Sequence, residues 1–164
     1  MPGRRAVALA IAAVAMASTL TGCYSGFGAT TTMQSQMNSG NGVQAKVGAI
    51  RVENATLVQA PQGAPGVTLL MTLFNDGLRA DELTTVLIDN VAATPAGAIP
   101  VDAGGSVAFA FNSERWLNAC TLAAEAGTYV PVTLAFRDAG VVQESLLVVP
   151  NAGYYTGIGP NPPC

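Results

Sequence analysis

The chain has 164 residues, of which half are hydrophobic and only 10% are charged. This composition is unlike that of disordered proteins and suffices for one domain with a hydrophobic core. Seven basic residues stand against ten acidic ones, so nucleic acid is not expected as a partner. The chain contains no histidine, which excludes Ser-His-Asp and Cys-His catalysis and imidazole ligands for zinc or copper. We therefore expect a non-catalytic protein.

The first 22 residues predict a lipoprotein signal peptide. Arg4 and Arg5 precede an uncharged apolar run at residues 6–20. That run is shorter than the roughly 20 residues needed to span a bilayer. Residues 20–23, Leu-Thr-Gly-Cys, resemble the lipobox of bacterial lipoproteins. The resemblance implies that Cys23 carries diacylglycerol and holds the protein in the cell membrane, on its extracytoplasmic face.

The segment after the lipobox predicts a flexible tether, because it is rich in Gly, Ser, Thr, Gln and Asn and has no apolar period. We assign the lipidated cysteine and tether to residues 23–45, the folded domain to 46–150 and a C-terminal tail to 151–164. Met33 and Met37 lie four residues apart in the tether. Thioethers suit Cu(I), but methionine spacing alone is a weak pattern.

From Val47 onward, short apolar runs alternate with turn residues, which predicts an all-β domain. Glycine-containing turns are predicted at residues 75–77, 103–105 and 138–140. This spacing favours an antiparallel β-sandwich of the immunoglobulin or cupredoxin kind. Seven strands are predicted, at residues 47–58 with a bend near Glu53 and Asn54, 66–74, 81–88, 106–112, 116–122, 128–137 and 141–149.

The strand predicted at 128–137 shows the clearest alternation. Val130, Val132, Leu134 and Phe136 fall on one face, which predicts that this face is buried. Pro131 cannot donate a ladder hydrogen bond, so it indicates a sheet edge or a strand start.

Two cysteines, Cys120 and Cys164, remain once Cys23 is acylated. We expect them to pair, because disulfides persist outside the cytoplasm. Closing a loop of this length stabilises the fold by about 4 kcal/mol in the simplest model. The bond would also hold the proline-rich end of the tail. The alternative is a free Cys120 that acts as a nucleophile or a soft-metal ligand.

Several segments together point to a known family. They are Gly-Gly-Ser-Val at 104–107, Trp-Leu-Asn-Ala-Cys-Thr-Leu at 116–122, Val-Pro-Val-Thr-Leu-Ala-Phe at 130–136, Asp-Ala-Gly at 138–140, and the earlier segments 51–55 and 73–77. Over residues 47–149 the chain resembles the periplasmic copper chaperone PCuAC family. With the lipobox, it is similar to the LpqE-type lipoproteins of actinobacteria, a divergent branch of that family.

The family holds Cu(I) with a His-x-Met pair and an upstream histidine. The pair falls on Trp116 and Asn118, and neither residue is a copper ligand. Met71 lies in an earlier strand, where the family has no ligand. The resemblance therefore implies a copper-chaperone fold without its metal site, and we expect neither metal nor other cofactor.

Two functions remain open. In the first, the chain is a membrane-tethered accessory domain that acts through protein contacts, with Trp116, Tyr154 and Tyr155 as candidate interaction residues. These aromatic residues could equally serve as packing. The resemblance implies subunits of the respiratory cytochrome oxidase or its supercomplex as the partner. In the second, the chain is a copper metallochaperone that uses Met33, Met37, Met71 or the thiols.

Overall fold

The computed structural model describes residues 40–61, 64–109 and 113–159, together with Ala29. The predicted signal peptide, Cys23, Met33, Met37 and Cys164 lie outside the described residues. Within these ranges, no helix has the length and apolar character needed to cross a membrane.

The described residues form an all-β domain with one short 3-10 helix, which confirms the predicted fold class. Its strands are β1 (Val43–Val47), β2 (Ile50–Gln59), β3 (Val67–Asn75), β4 (Asp81–Ile88), β5 (Val91–Ala92), β6 (Ile99–Val101), β7 (Ser106–Phe109), β8 (Asn118–Ala119), β9 (Tyr129–Phe136) and β10 (Gly140–Val149), and the 3-10 helix is Gly153–Tyr155.

The strands belong to a single curled sheet, whose main order is β5-β4-β9-β10-β2-β3-β7. Strand β1 lies beside β2, β6 beside β4 and β8 beside β3. Neighbouring strands are antiparallel except β10 and β2, which pair in parallel through Val148 with Leu57 and Val149 with Val58. This short parallel contact joins two layers, one built around β2 and β3 and the other around β4 and β9. The predicted antiparallel sandwich is thus present, with one parallel seam.

The core lies between the two layers. Val130, Val132, Leu134 and Phe136 of β9 are at most 8% exposed, as their alternation predicts. Side chains of β2, β3 and β4 face them. Burial of each such side chain contributes about 1.5–3 kcal/mol, so this alternation is the main determinant of the layer arrangement.

Pro131 does not lie on a sheet edge, contrary to one of its two predicted placements. Strand β9 lies between β4 and β10. Its position is nevertheless compatible with proline, because the β4 ladder ends at Ile88. The carbonyl of Pro131 accepts the N–H of Asp89 in the turn that follows, at 2.8 Å. The proline therefore stands where the ladder to β4 has just ended.

The first predicted strand, residues 47–58, corresponds mainly to β2, which forms a hairpin with the earlier strand β1. Strand β1 begins at Val43, inside the segment assigned to the tether, because Val43 pairs with Ala55 of β2. The turn at Gly48 and Ala49 separates the two strands. Strand β1 reads Val-Gln-Ala-Lys-Val, a short alternation that follows directly on the polar segment, and its Val43, Ala45 and Val47 pack against the main core.

Other boundaries differ for related reasons. The strand predicted at 116–122 is reduced to Asn118–Ala119, and the two- and three-residue strands β5 and β6 were not predicted. Strands this short contain too few residues for a period of two to be visible.

The bend predicted near Glu53 and Asn54 is a β-bulge. The register of β2 against β3 shifts between Glu53 and Thr56, and Asn54 has a φ of 54°. The backbone of Asn54 passes directly beside Gly42, where a Cβ would lie 2.6 Å from the Asn54 Cα. Glycine at position 42 therefore permits the chain to pass over the bulge.

Asp81, at the start of β4, ties two loops together. Its side chain is only 6% exposed, and it accepts the backbone N–H groups of Glu82 at 2.7 Å, Asp138 at 3.0 Å and Ala139 at 2.9 Å. Burial raises the pKa of Asp81, but these hydrogen bonds and the charge of Arg137 outweigh it, so the pKa is lowered overall. The charged carboxylate therefore holds the turn between β9 and β10.

We predict that Asp81→Asn lowers the free energy of unfolding by about 1–3 kcal/mol at pH 7, because an amide nitrogen replaces one acceptor. The pKa of Asp81 is lower in the folded state, so its contribution is complete above the unfolded pKa, near 3.9, and is lost as pH falls through the folded pKa. Urea unfolding at several pH values measures both effects. The exposed Asp89→Asn is the control, and an equal loss in both variants would contradict the prediction.

Candidate functional site

The three candidate interaction residues lie together on the outer face of the β2–β3 layer. Trp116 and Tyr155 are half-buried and pack against a small cluster separate from the main core. The rings of Tyr154 and Tyr155 meet edge to face, with centroids 5.5 Å apart and planes at 88°. The buried members of this cluster are Val58, Val149 and Ile158.

The three aromatic residues differ in burial, and therefore in whether they suit packing or protein contact. Trp116 and Tyr155 form part of the packing. Tyr154 is 69% exposed, and its ring rests against that of Tyr155. A single region thus combines a packed aromatic base with an exposed aromatic side chain.

Asn151 folds the tail back over this layer. Its Nδ2 donates to the carbonyls of Gln59, at 3.3 Å, and Ile158, and its Oδ1 accepts the N–H of Gly157 at 3.1 Å. The end of the described tail also fits closely, since a Cβ on Gly159 would lie 2.9 Å from the Pro61 ring. The sequence suggests only a disulfide for holding the tail, whereas in the structure Asn151 holds it.

Between the two tyrosines and the first described residues of the domain lies a cleft of about 370 Å³. Gly42, Asn54 and Thr72 line it together with Tyr154 and Tyr155. None of the described residues that line it is charged. The cleft is thus suited to an uncharged, partly apolar segment.

Met71 contributes to the wall of this cleft but is only 2% exposed, and its side chain belongs to the main core. The Sγ of Cys120 lies 3.3 Å from the Thr94 hydroxyl, and Cys120 is not among the residues that line the cleft. The described residues therefore do not gather these two sulfur atoms in the cleft. The part of the chain that the structure describes also holds no group of three or more His, Cys, Asp and Glu side chains that could bind a metal ion.

Asn118, one of the two positions where the family's copper ligands fall, is engaged in a structural contact. It is 1% exposed, and its Oδ1 accepts the hydroxyl of Thr68 at 2.8 Å. Its backbone N–H and C=O both pair with Thr94 at 2.8 Å. Trp116, at the other position, packs in the small cluster. A bonded amide and an indole do not fit the soft-donor preference of Cu(I).

Neither protein-family models nor curated proteins match this sequence. Several solved structures match it. The apo PCuAC domain of PmoF1 matches with a TM-score of 0.57 at 17% identity, over 65% of this chain and 98% of that domain. The apo PCuAC domain of PmoF2 matches with a TM-score of 0.55 at 21% identity, over 68% and 98%. The chain has the fold of a PCuAC domain. Apo-DR1885 from Deinococcus radiodurans also matches, with a TM-score of 0.47 at 17% identity, over 70% and 88%.

The matches to the PmoF1 and PmoF2 domains confirm the fold that the family resemblance implied. At such identities the likeness concerns the PCuAC fold alone, so the site must be argued from its own residues. Sequence reasoning found the aromatic residues but missed the structural parts of Asn118 and Asn151. The partners of Asn118 lie far away along the chain, and Asn151 combines the distant Gln59 with the nearby Gly157 and Ile158, so neither contact set is visible as a sequence pattern.

We predict that Asn118→Ala lowers the free energy of unfolding by about 1–3 kcal/mol, because the buried Thr68 hydroxyl loses its acceptor. In a Thr68→Val background the same substitution should cost about 1 kcal/mol less, since no hydroxyl is left unpaired. Urea unfolding of the four proteins gives this coupling energy. Equal costs in the two backgrounds would show that the hydrogen bond does not stabilise the domain.

Proposed function

We propose that the chain is a lipoprotein anchored through Cys23 on the extracytoplasmic face of the cell membrane. Its PCuAC-like domain then acts through protein contacts, without catalysis and without a copper site of the family's kind. The observation that carries this proposal is the uncharged cleft beside Tyr154, supported by the packed Trp116 and Tyr155.

Physical chemistry supports this region as a binding surface. Tyr154 presents a large ring whose position is already limited by Tyr155, so little conformational entropy is lost on binding. An uncharged lining requires no desolvation of ionised groups. Tyrosine and tryptophan are also the residues most often found at energetically important points of protein interfaces.

As the partner we propose subunits of the respiratory cytochrome oxidase or its supercomplex. The support is the resemblance to copper chaperones, and to LpqE-type lipoproteins in particular. The proposed lipid anchor would keep the domain beside integral membrane proteins, which raises its effective concentration near such a partner.

The Cys120–Cys164 disulfide is also part of the proposal. Gly159 lies against Pro61. Gly66 lies against Cys120, since a Cβ placed on Gly66 would be 3.4 Å from the Cys120 Cα. The Ala60 N–H closes the loop between them by donating to the Gly66 carbonyl at 2.9 Å. The end of the described tail and Cys120 thus flank the same loop, and the five residues from Gly159 to Cys164 can extend about 17 Å.

A pull-down of the full lipoprotein from native membranes in mild detergent tests the accessory function. We expect oxidase subunits to copurify, and we expect Tyr154→Ala to weaken their binding by about 2 kcal/mol, or roughly 30-fold. Tyr129→Ala is a matched control, because Tyr129 is 68% exposed on the other layer. Recovery of the bait alone, or equal losses in both variants, would contradict the proposal.

Mass spectrometry of the same purified protein tests the two proposed modifications. We expect a diacylglyceryl group on Cys23 and a peptide pair that joins Cys120 to Cys164. An unmodified Cys23, or a Cys120 peptide that reacts with an alkylating reagent before reduction, would contradict them.

A copper metallochaperone remains the second candidate, favoured by the position of Met71 in the cleft wall. Titration of the reduced, full lipoprotein with Cu(I) separates the two functions. We expect no binding at micromolar concentrations, because Met71 is buried and soft donors are sparse in the described residues. Micromolar or tighter binding that Met71→Leu or Cys120→Ser abolishes would establish the second candidate instead.

A further inference from the structure

The loop between β3 and β4 exposes a leucine almost completely. Leu78 is 99% exposed, more than the other exposed large hydrophobic residues of the described chain. A single exposed leucine is common and needs no explanation by itself. What distinguishes Leu78 is the rigidity of the loop that presents it.

Asn75 fixes the loop on both sides of Leu78. The Asn75 side chain is nearly fully buried; its Oδ1 accepts the N–H of Gly77 at 3.0 Å, and its Nδ2 donates to the carbonyl of Arg79 at 2.7 Å. The same Nδ2 also donates to the carbonyl of Val101 at 3.1 Å, which ties the loop to β6. The residues before and after Leu78 are therefore both held by one buried amide.

The first half of the loop is held a second time. The N–H of Asp76 donates to the carbonyl of Ala49 at 2.9 Å, and its carboxylate accepts Nε and Nη2 of Arg51 at 3.1 and 3.2 Å. A Cβ on Gly77 would lie 2.9 Å from the Ala49 Cβ, so the loop already sits tightly on the β1–β2 turn. Leu78 is thus fixed in its exposed position, which lowers the entropy cost of inserting it into a partner.

Beside Leu78 lies a cleft of about 600 Å³. Much of its wall consists of small residues, namely Gly48, Ala49, Ala80 and Ala139. These residues lack bulky side chains, so the cleft can accept an apolar side chain from outside. The leucine and a cleft suited to leucine therefore lie on the same surface.

The cleft is bordered by a cation, Arg79, and an anion, Asp138, that could each pair with the other on a second copy. Arg79 makes no ion pair within the described residues. Asp138 has a side chain that is 66% exposed, and it contacts only the exposed Arg137, at 3.2 Å. The carboxylate of Asp81 also borders the cleft, but its hydrogen bonds to backbone N–H groups occupy it. Asp138 is thus the carboxylate that an incoming cation can reach.

We infer that this surface binds a second copy of the same chain, with Leu78 of each copy in the small-residue cleft of the other and Arg79 of each beside Asp138 of the other. An apolar side chain and its receptor on one surface satisfy the condition for a two-fold interface, in which each copy contributes the same two parts. Both copies carry a net charge of −3, so they repel each other. Two arginine–aspartate contacts offset this repulsion where the copies meet. The inference does not depend on the aromatic cleft or its partner.

Sedimentation equilibrium of the full lipoprotein, in detergent whose density is matched by the solvent, tests the inference. We expect concentration-dependent dimerisation that weakens at least about tenfold in Leu78→Ser, because the inserted side chain is lost. Leu78 is 99% exposed in the single copy, so at concentrations where the parent is monomeric the urea midpoint of this variant should equal that of the parent. Arg115→Asp, at an exposed cation away from the cleft, is the control and should leave dimerisation unchanged.

A charge exchange tests the geometry of the contact. Arg79→Asp and Asp138→Arg should each weaken dimerisation at least about tenfold, and the double variant should recover to within about threefold of the parent. A protein that is monomeric at every concentration, a dimer unaffected by Leu78→Ser, or a double variant no better than the single ones would overturn the inference.

Discussion

The two layers of this domain are joined by a seam of two residue pairs. Val148 and Val149 of β10 lie parallel to Leu57 and Val58 of β2. Successive residues of a strand point to opposite faces, so Val148 enters the main core while Val149 enters the small cluster on the outer face. The seam thus joins the two layers and also delivers the chain to the outer face of the β2–β3 layer. The position of the tail, and with it of Tyr154 and Tyr155, depends on this contact.

Much of the fold follows from local patterns. The alternation in β9 is visible in the sequence because it reports the burial of every second residue, and burial is the largest stabilising term. Strand β1 gives a weaker signal, since its alternating Val43, Ala45 and Val47 pack against the core but span only five residues next to a polar segment. The parallel seam was equally invisible, because pairing direction depends on how distant strands meet and not on their composition.

In the candidate site, too, contacts between residues distant in the chain could not be predicted from the sequence. Aromatic residues near the end of the chain attract attention as interaction residues, and Trp116 does so within the family motif. Nothing in the sequence indicates that Trp116 and Tyr155 share one cluster, because this proximity needs the reversal of the tail at Asn151. The fold of PCuAC domains and the chemistry of this chain's surface are therefore separate facts, as is common for folds that serve many functions.

The hydrogen bond between Thr68 and Asn118 has an evolutionary consequence. A methionine at position 118, as the family motif has it, would leave the Thr68 hydroxyl buried without an acceptor in the protein interior. A copper ligand at this position would thus be disfavoured until Thr68 had also changed, and the neighbouring cluster around Trp116 would have to accept a histidine. The order in which substitutions can accumulate is constrained by such buried pairs.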